Sequence, residues 1–227
     1  MIPPIKRNFQ FGLLKILSGF LLCCFATMLF GLDVEAKDFS SAFGSSAEGR
    51  VTGFRSAQFG MNEKKILKAI YRDFKIPKSR IKRQTHAKER TRSYEISVTN
   101  LLPESGPSRI FYIFGHKSKK LIQVNLVWGK LATDHPNAKN IVNTANQLRD
   151  HFLLKNFPEK GRQVNSPLKD GSVLVFRGQD KRGRLTTLLL MNPESEGSRK
   201  NKNISLRLSY IENPDSPDIF RVGKNDF

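Results

Sequence analysis

Cysteine is nearly absent from this sequence. The 227 residues contain two, Cys23 and Cys24, and both fall within the first 36 positions. Residues 37–227 have none, which excludes structural disulfides, CxxC redox chemistry and a thiolate nucleophile from that part of the chain. The signatures of phosphate-cradling nucleotide sites, GxxxxGK[ST] and GxGxxG, are also missing. A GxSxG nucleophile elbow is absent: Gly44-Ser45-Ser46-Ala47-Glu48 breaks the pattern at its last position. The four histidines, His86, His116, His135 and His151, form no HExxH or HxH pair. Each reads as a solvated surface histidine, His86 and His116 among cations and His135 and His151 at helix ends. Asp73, Asp150, Asp170 and Asp180 are scattered beside Lys and Arg, and Asp73 and Asp150 read as ion-pair partners on exposed helix faces. No catalytic residue, metal or cofactor is therefore expected, and the alternative is an enzyme whose site assembles only in three dimensions.

Acidic residues are scarce too. Thirty-nine Lys and Arg face 20 Asp and Glu, a net charge of +19. The first 36 residues hold three cations and two acids, so +18 stays on residues 37–227. Charge on this scale favours acidic partners and opposes self-association, but says nothing about fold or oligomeric state.

The one long hydrophobic run lies at the amino terminus. Lys6, Arg7 and Lys15 precede Ile16 to Leu32, 17 residues without a charge. Val34-Glu35-Ala36 supplies the small residues of a cleavage site. A positive start, an apolar stretch and a small-residue exit make a secretory signal peptide, with cleavage after Ala36 and delivery to a periplasm or to the outside. The alternatives are an uncleaved membrane anchor and a lipoprotein acylated on Cys23 or Cys24; the run is slightly short for a span. Absence of disulfides in an exported chain suits a bacterial envelope.

Residues 37–52, rich in Ser, Gly and Ala, read as a flexible leader. Asn62 is a candidate N-cap for a helix with Ile66, Leu67, Ile70 and Phe74 at helical spacing, ended by Pro77. Strands are expected at Tyr94–Val98, Ile110–Phe114 and Ile122–Trp128. The last two form a hairpin around the basic turn at 115–120. A second helix is expected with Asp134 as cap, Pro136 in its first turn and a stripe of Ile141, Ala145, Leu148 and Phe152, widened by Val142. Three more strands follow, at Val173–Phe176, Leu185–Met191 and Ile204–Tyr210. The fold class is α+β: an antiparallel sheet over residues 53–211 with two amphipathic helices on one face, and an extended tail at 212–227. The order α-β-β-β occurs twice, so residues 53–130 and 131–211 are candidate halves of a tandem repeat.

Phe59-Gly60-Met61-Asn62-Glu63 before an amphipathic helix resembles the opening of the SmpA/OmlA (BamE) outer-membrane lipoproteins, over about 15 residues and the element order beyond. The layout is similar to that of the tandem α+β inhibitor proteins that bind β-lactamases. The overall pattern also resembles exported proteobacterial proteins. These resemblances imply an envelope or protein-binding module. The chain departs from them in lacking the lipidated cysteine and the disulfides.

What stands out is the cations. Lys75, Lys78, Arg80, Lys82, Arg83, Lys88, Arg90 and Arg92 fall within 18 residues that hold one acid, Glu89. The hairpin turns add Lys117, Lys119, Lys120, Lys181, Arg182 and Arg184, and Arg199, Lys200, Lys202 and Arg207 flank the last strand. An antiparallel sheet would gather such turns into one field, a site for anionic lipid, acidic glycan or an acidic protein, with peripheral membrane contact as one form of it. Nucleic acid is disfavoured by the export signal and because Tyr94, Phe111 and Trp128 are expected in the core rather than free to stack on bases. The exposed sheet face with Gln123 and Asn125 is the alternative contact surface.

Overall fold

The computed structural model describes residues 48–191 and 203–221. The signal segment with its Ala36 junction, residues 37–47 of the leader, and Arg199, Lys200 and Lys202 lie outside the described residues. No helix among the described residues is long and apolar enough to cross a membrane.

A short hairpin opens the domain, β1 (Gly53–Phe54) paired with β2 (Ala57–Gln58). Helix α1 (Glu63–Phe74) follows, and the Asn62 side chain accepts from the Lys65 backbone N–H as the sequence predicts. The apolar spacing buries Ile66, Ala69 and Ile70. Lys75 then adopts φ 57°, the left-handed turn that stops the helix before Pro77. Next come β3 (Lys82–Thr85), β4 (Arg92–Thr99), β5 (Pro107–Phe114) and β6 (Leu121–Gly129). Helix α2 (Ala138–Leu153) leads into β7 (Gln163–Pro167), β8 (Val173–Gln179), β9 (Leu185–Met191) and β10 (Ser205–Ile211).

The long strands make one eight-stranded antiparallel sheet, in the order β3-β4-β5-β6-β10-β9-β8-β7. The α+β class is thus met. The strand count is corrected: four strands, not three, follow each helix. β3 and β7 escape the pattern because they are the sheet edges. β3 is Lys-Arg-Gln-Thr, exposed throughout, and charge of this kind keeps an edge from pairing with other chains.

One face of the sheet is the core face. Tyr94, Ile96, Ile110, Tyr112, Val124, Leu126, Trp128, Leu206 and Leu208 stand on it in register, and both helices cover it. Rings pack across the layers: Phe152 stacks on Phe176 at 5.2 Å, and Phe54 on Tyr210 at 6.0 Å. The centre is the β6–β10 ladder, from Ser205↔Gly129 to Ile211↔Gln123. Gly129 closes it at φ +80°, where a Cβ would lie 2.2 Å from the Ile204 carbonyl oxygen.

Four expectations need correction. The cap of α2 is Asn137, which accepts from Asn140 N–H at 3.2 Å; Asp134 is exposed and pairs with Lys130 at 2.8 Å. Its stripe is widened by Thr144, at 2 % exposure, rather than by Val142, which faces water. Residues 48–52 at the end of the leader are held in place: Gly49 N–H donates to Asn156 O and Val51 N–H to Asp180 Oδ2, with Val51 buried. Asp73 is less a surface ion-pair partner than a tie, accepting from Ser56 N–H at 3.0 Å and Ser56 Oγ–H at 2.5 Å to fasten the β1–β2 hairpin to α1.

Candidate functional site

Strand direction decides which turns meet. β4 begins where β5 ends (Arg92↔Phe114), β6 begins where β10 ends (Gln123↔Ile211), and β10 ends where β9 begins (Ile211↔Leu185). The turns β3–β4, β5–β6 and β8–β9 therefore share one end of the sheet. At about 4.8 Å per strand their centres are spaced by roughly 10 and 14 Å. This end carries Lys88 and Arg90, then Lys117, Lys119 and Lys120, then Lys181 and Arg182. Lys78 and Arg80 do not join them; they sit in the 3-10 turn Lys78–Arg80 before β3. Lys82 and Arg83 alternate on the edge strand, Lys82 opposite Glu95 and Arg83 opposite Tyr94.

Several predicted cations are already engaged. Arg92 pairs with Glu63 at 2.9 Å. The Arg90 guanidinium lies 3.8 Å from the centroid of the Phe220 ring, a cation–π stack. Arg83 sits 5.3 Å from the Tyr94 centroid, and Lys119 Nζ–H donates to the His116 carbonyl. Lys88, Lys117, Lys120, Lys181 and Arg182 have side chains with no ion pair among the described residues.

The chain's last described residues cross this end as a strap. Asp218 accepts N–H from Lys117 at 2.9 Å and from Ser118 at 2.8 Å, while its own carbonyl accepts from His116 N–H. Phe220 N–H donates to Glu89 O. Partial burial works to raise the Asp218 pKa, but the turn's N–H groups, the Ser118 hydroxyl and the His116 charge outweigh it and hold the carboxyl below its ordinary value. Between the β5–β6 and β8–β9 turns the strap leaves a recess of about 540 Å³ with Arg182, Glu212 and Asp215 on its walls. Glu212 is pushed up by burial, against the opposing charges of Arg184 and Lys120. Asp180 ties its turn, accepting from Arg182 and Arg184 N–H at 2.8 and 2.9 Å.

The face of the sheet away from the helices is open, and here the sequence reading missed residues. Glu95, which alternates along β4 with the core residues Tyr94 and Ile96, is only 3 % exposed. Its Oε2 accepts from Gln84 Nε2–H at 3.0 Å, and its Oε1 lies 3.6 Å from Arg109 Nη1 with no hydrogen bond of its own. Phe111, expected in the core, points to this open face and is half-buried there, because it pairs with Glu95 and Asn125 rather than with the Tyr94 row. Glu95, Arg109, Phe111, Ile113, Asn125, Val127 and Arg207 line a groove of about 450 Å³.

No family model, curated protein or solved structure matches this chain.

The histidines separate into two kinds. His86 and His135 are exposed as expected. His116 is half-buried, its ring edge-on to Phe220 at 5.5 Å, and His151 is half-buried against Phe152 at 5.4 Å. Among the described residues no three His, Cys, Asp or Glu gather as metal ligands.

Proposed function

We propose that this protein is an exported, non-catalytic binding protein of the cell envelope whose basic turns contact an acidic surface. The observation that carries the reading is the set of five unpaired cations, Lys88, Lys117, Lys120, Lys181 and Arg182, brought to one end of the sheet by three separate turns. Lysine and arginine on turns tied down by Asp218 and Asp180 present their charge without losing much backbone entropy on contact. Phosphate and carboxylate groups spaced along a headgroup layer or an acidic glycan meet such a row by hydrogen bonds and counterion release, so binding falls steeply with salt. The apolar run Ile16–Leu32 and the Val34-Glu35-Ala36 exit support delivery to the envelope with the chain starting at Lys37.

The test is co-sedimentation with anionic and zwitterionic vesicles across a salt series. The protein should be retained on anionic vesicles only, and Ser at Lys117, Lys120, Lys181 and Arg182 should abolish retention at moderate salt. Ser at Arg80, Lys82 and Arg83 should change it far less. Equal retention of all three proteins would refute the reading. Mass measurement of the amino terminus from fractionated cells checks compartment and cleavage separately.

A further inference from the structure

We propose that the open face of the sheet is a second site, one that binds a small organic monoanion with an apolar body. Its charged head sits between Arg109 and Arg207 and its tail runs along Phe111 and Ile113.

The two arginines are brought together by register alone. Arg109 and Arg207 both pair with Val127, one from each side, so they flank it on the same face. Two strands apart their Cα atoms are roughly 10 Å from each other, within reach of two long side chains closing on one small anion. Arg109 is held from the neighbouring strand. The Glu95 carboxylate at 3.6 Å is buried, shares its other oxygen with Gln84, and leaves the remaining guanidinium donors of Arg109 for the groove. A buried carboxylate with one oxygen unbonded is costly to keep on a sheet face. Here it holds a cation in place. The Arg207 side chain has no ion pair or hydrogen bond among the described residues.

The rest of the groove sets the ligand class. Two arginines against one glutamate leave a surplus of one positive charge among these three residues, which suits a single anionic head. Phe111 and Ile113 continue from the arginine row along β5, and on the opposite side of the row Leu131 stands 46 % exposed. From Arg109 to Ile113 the strand runs about 13 Å, the length of a medium alkyl or fused-ring body. A groove of about 450 Å³ has the size of a small-molecule site. An added peptide strand would pair with an edge, and this groove lies on the sheet face, where the backbone groups are already used.

Neither arginine of this site is among the cations of the basic turns, so the two proposals fail independently. The probe is dodecanoate, titrated into the purified protein by calorimetry, with dodecyltrimethylammonium as the opposite head on the same tail. Dodecanoate should bind saturably and one to one, and the cationic probe should not. Arg207→Gln and Arg109→Gln should each weaken dodecanoate about tenfold, through loss of a charge-assisted contact. Arg207→Glu, at an exposed position, should abolish binding, while Ser at Lys117 and Lys120 leaves it intact. Buried Trp128 reports that each variant is folded. The proposal is overturned by absence of saturable binding below the micelle concentration, by equal binding of both probes, or by folded Arg207 and Arg109 variants that bind as the parent does.

Discussion

At the scale of single residues, one glycine decides where the strap at residues 218–220 goes. A Cβ on Gly115 would meet Asp218 Oδ2 at 2.2 Å and Ser118 Oγ at 2.6 Å, so the strap's carboxylate rests directly on this Cα. Gly115→Ala is expected to expel Asp218 from the β5–β6 turn, and Asp218→Ala to have the same effect. Each should cost about 1–2 kcal/mol for lost hydrogen bonds to a charged group, less any screening by water. Urea melts measure it, and the two losses should not add, because both break the same contact. The sign with pH follows from the lowered carboxyl. The folded state holds Asp218 ionised at pH values where the unfolded chain takes up a proton. Its contribution is therefore complete above the ordinary carboxylate range and is lost as pH falls through the folded value. The parent and Asp218→Ala should differ near neutrality and converge as pH falls through the folded value. A difference that stays constant through the acid range would contradict the assignment.

At the scale of elements, what was legible was what repeats along one strand or one helix. The apolar spacing of α1 and α2, and the alternation in β4, β6 and β10, are local, and the structure keeps them. β1, β2, β3 and β7 are short or edge elements with one buried apolar residue or none, so no period marks them. The cap of α2 shows a different limit. Asp134 and Asn137 are nearly equal as caps, and Pro136 is tolerated by either reading, so the local sequence holds two starts. The structure uses Asn137, and the helix beginning there buries Ile141, Thr144, Ala145 and Leu148 together. Asn137→Ala should cost about 1 kcal/mol by thermal or urea unfolding. Asp134→Ala, at an exposed pair, should leave the melting temperature unchanged. The reverse ranking would restore the sequence-based cap. Among candidate sites, the basic turns could be found in advance because turns follow from strands. The Arg109–Arg207 pair could not, because it depends on β5 and β10 sharing β6 as neighbour.

At the scale of the whole molecule, the first and last described segments are crossed. Residues 48–51 precede the first helix, yet they are held by Asn156 and Asp180 of the later elements. Residues 218–220 follow the last strand, yet they are held by Glu89, Lys117 and Ser118 of the earlier ones. Between these straps the β6–β10 ladder joins the two sets of four strands through seven residue pairs, and one core cluster runs from Val51 to Tyr210. Separating residues 53–130 from 131–211 would expose both β6 and β10 as long apolar edges. It would also uncover Trp128, which is fully buried against Leu206 across the joint. Neither set can thus stay folded while the other unfolds, and unfolding should be a single cooperative transition. Trp128 is the only tryptophan, so its emission reads the joint alone, while far-ultraviolet dichroism reads all elements. The two should give one midpoint in urea. Removal of residues 213–227 should lower that midpoint and leave the curves superimposed, since the strap adds to the same unit instead of forming one of its own. Emission that changes before or after the dichroism would mean that the joint opens separately and that the halves are independent folding units.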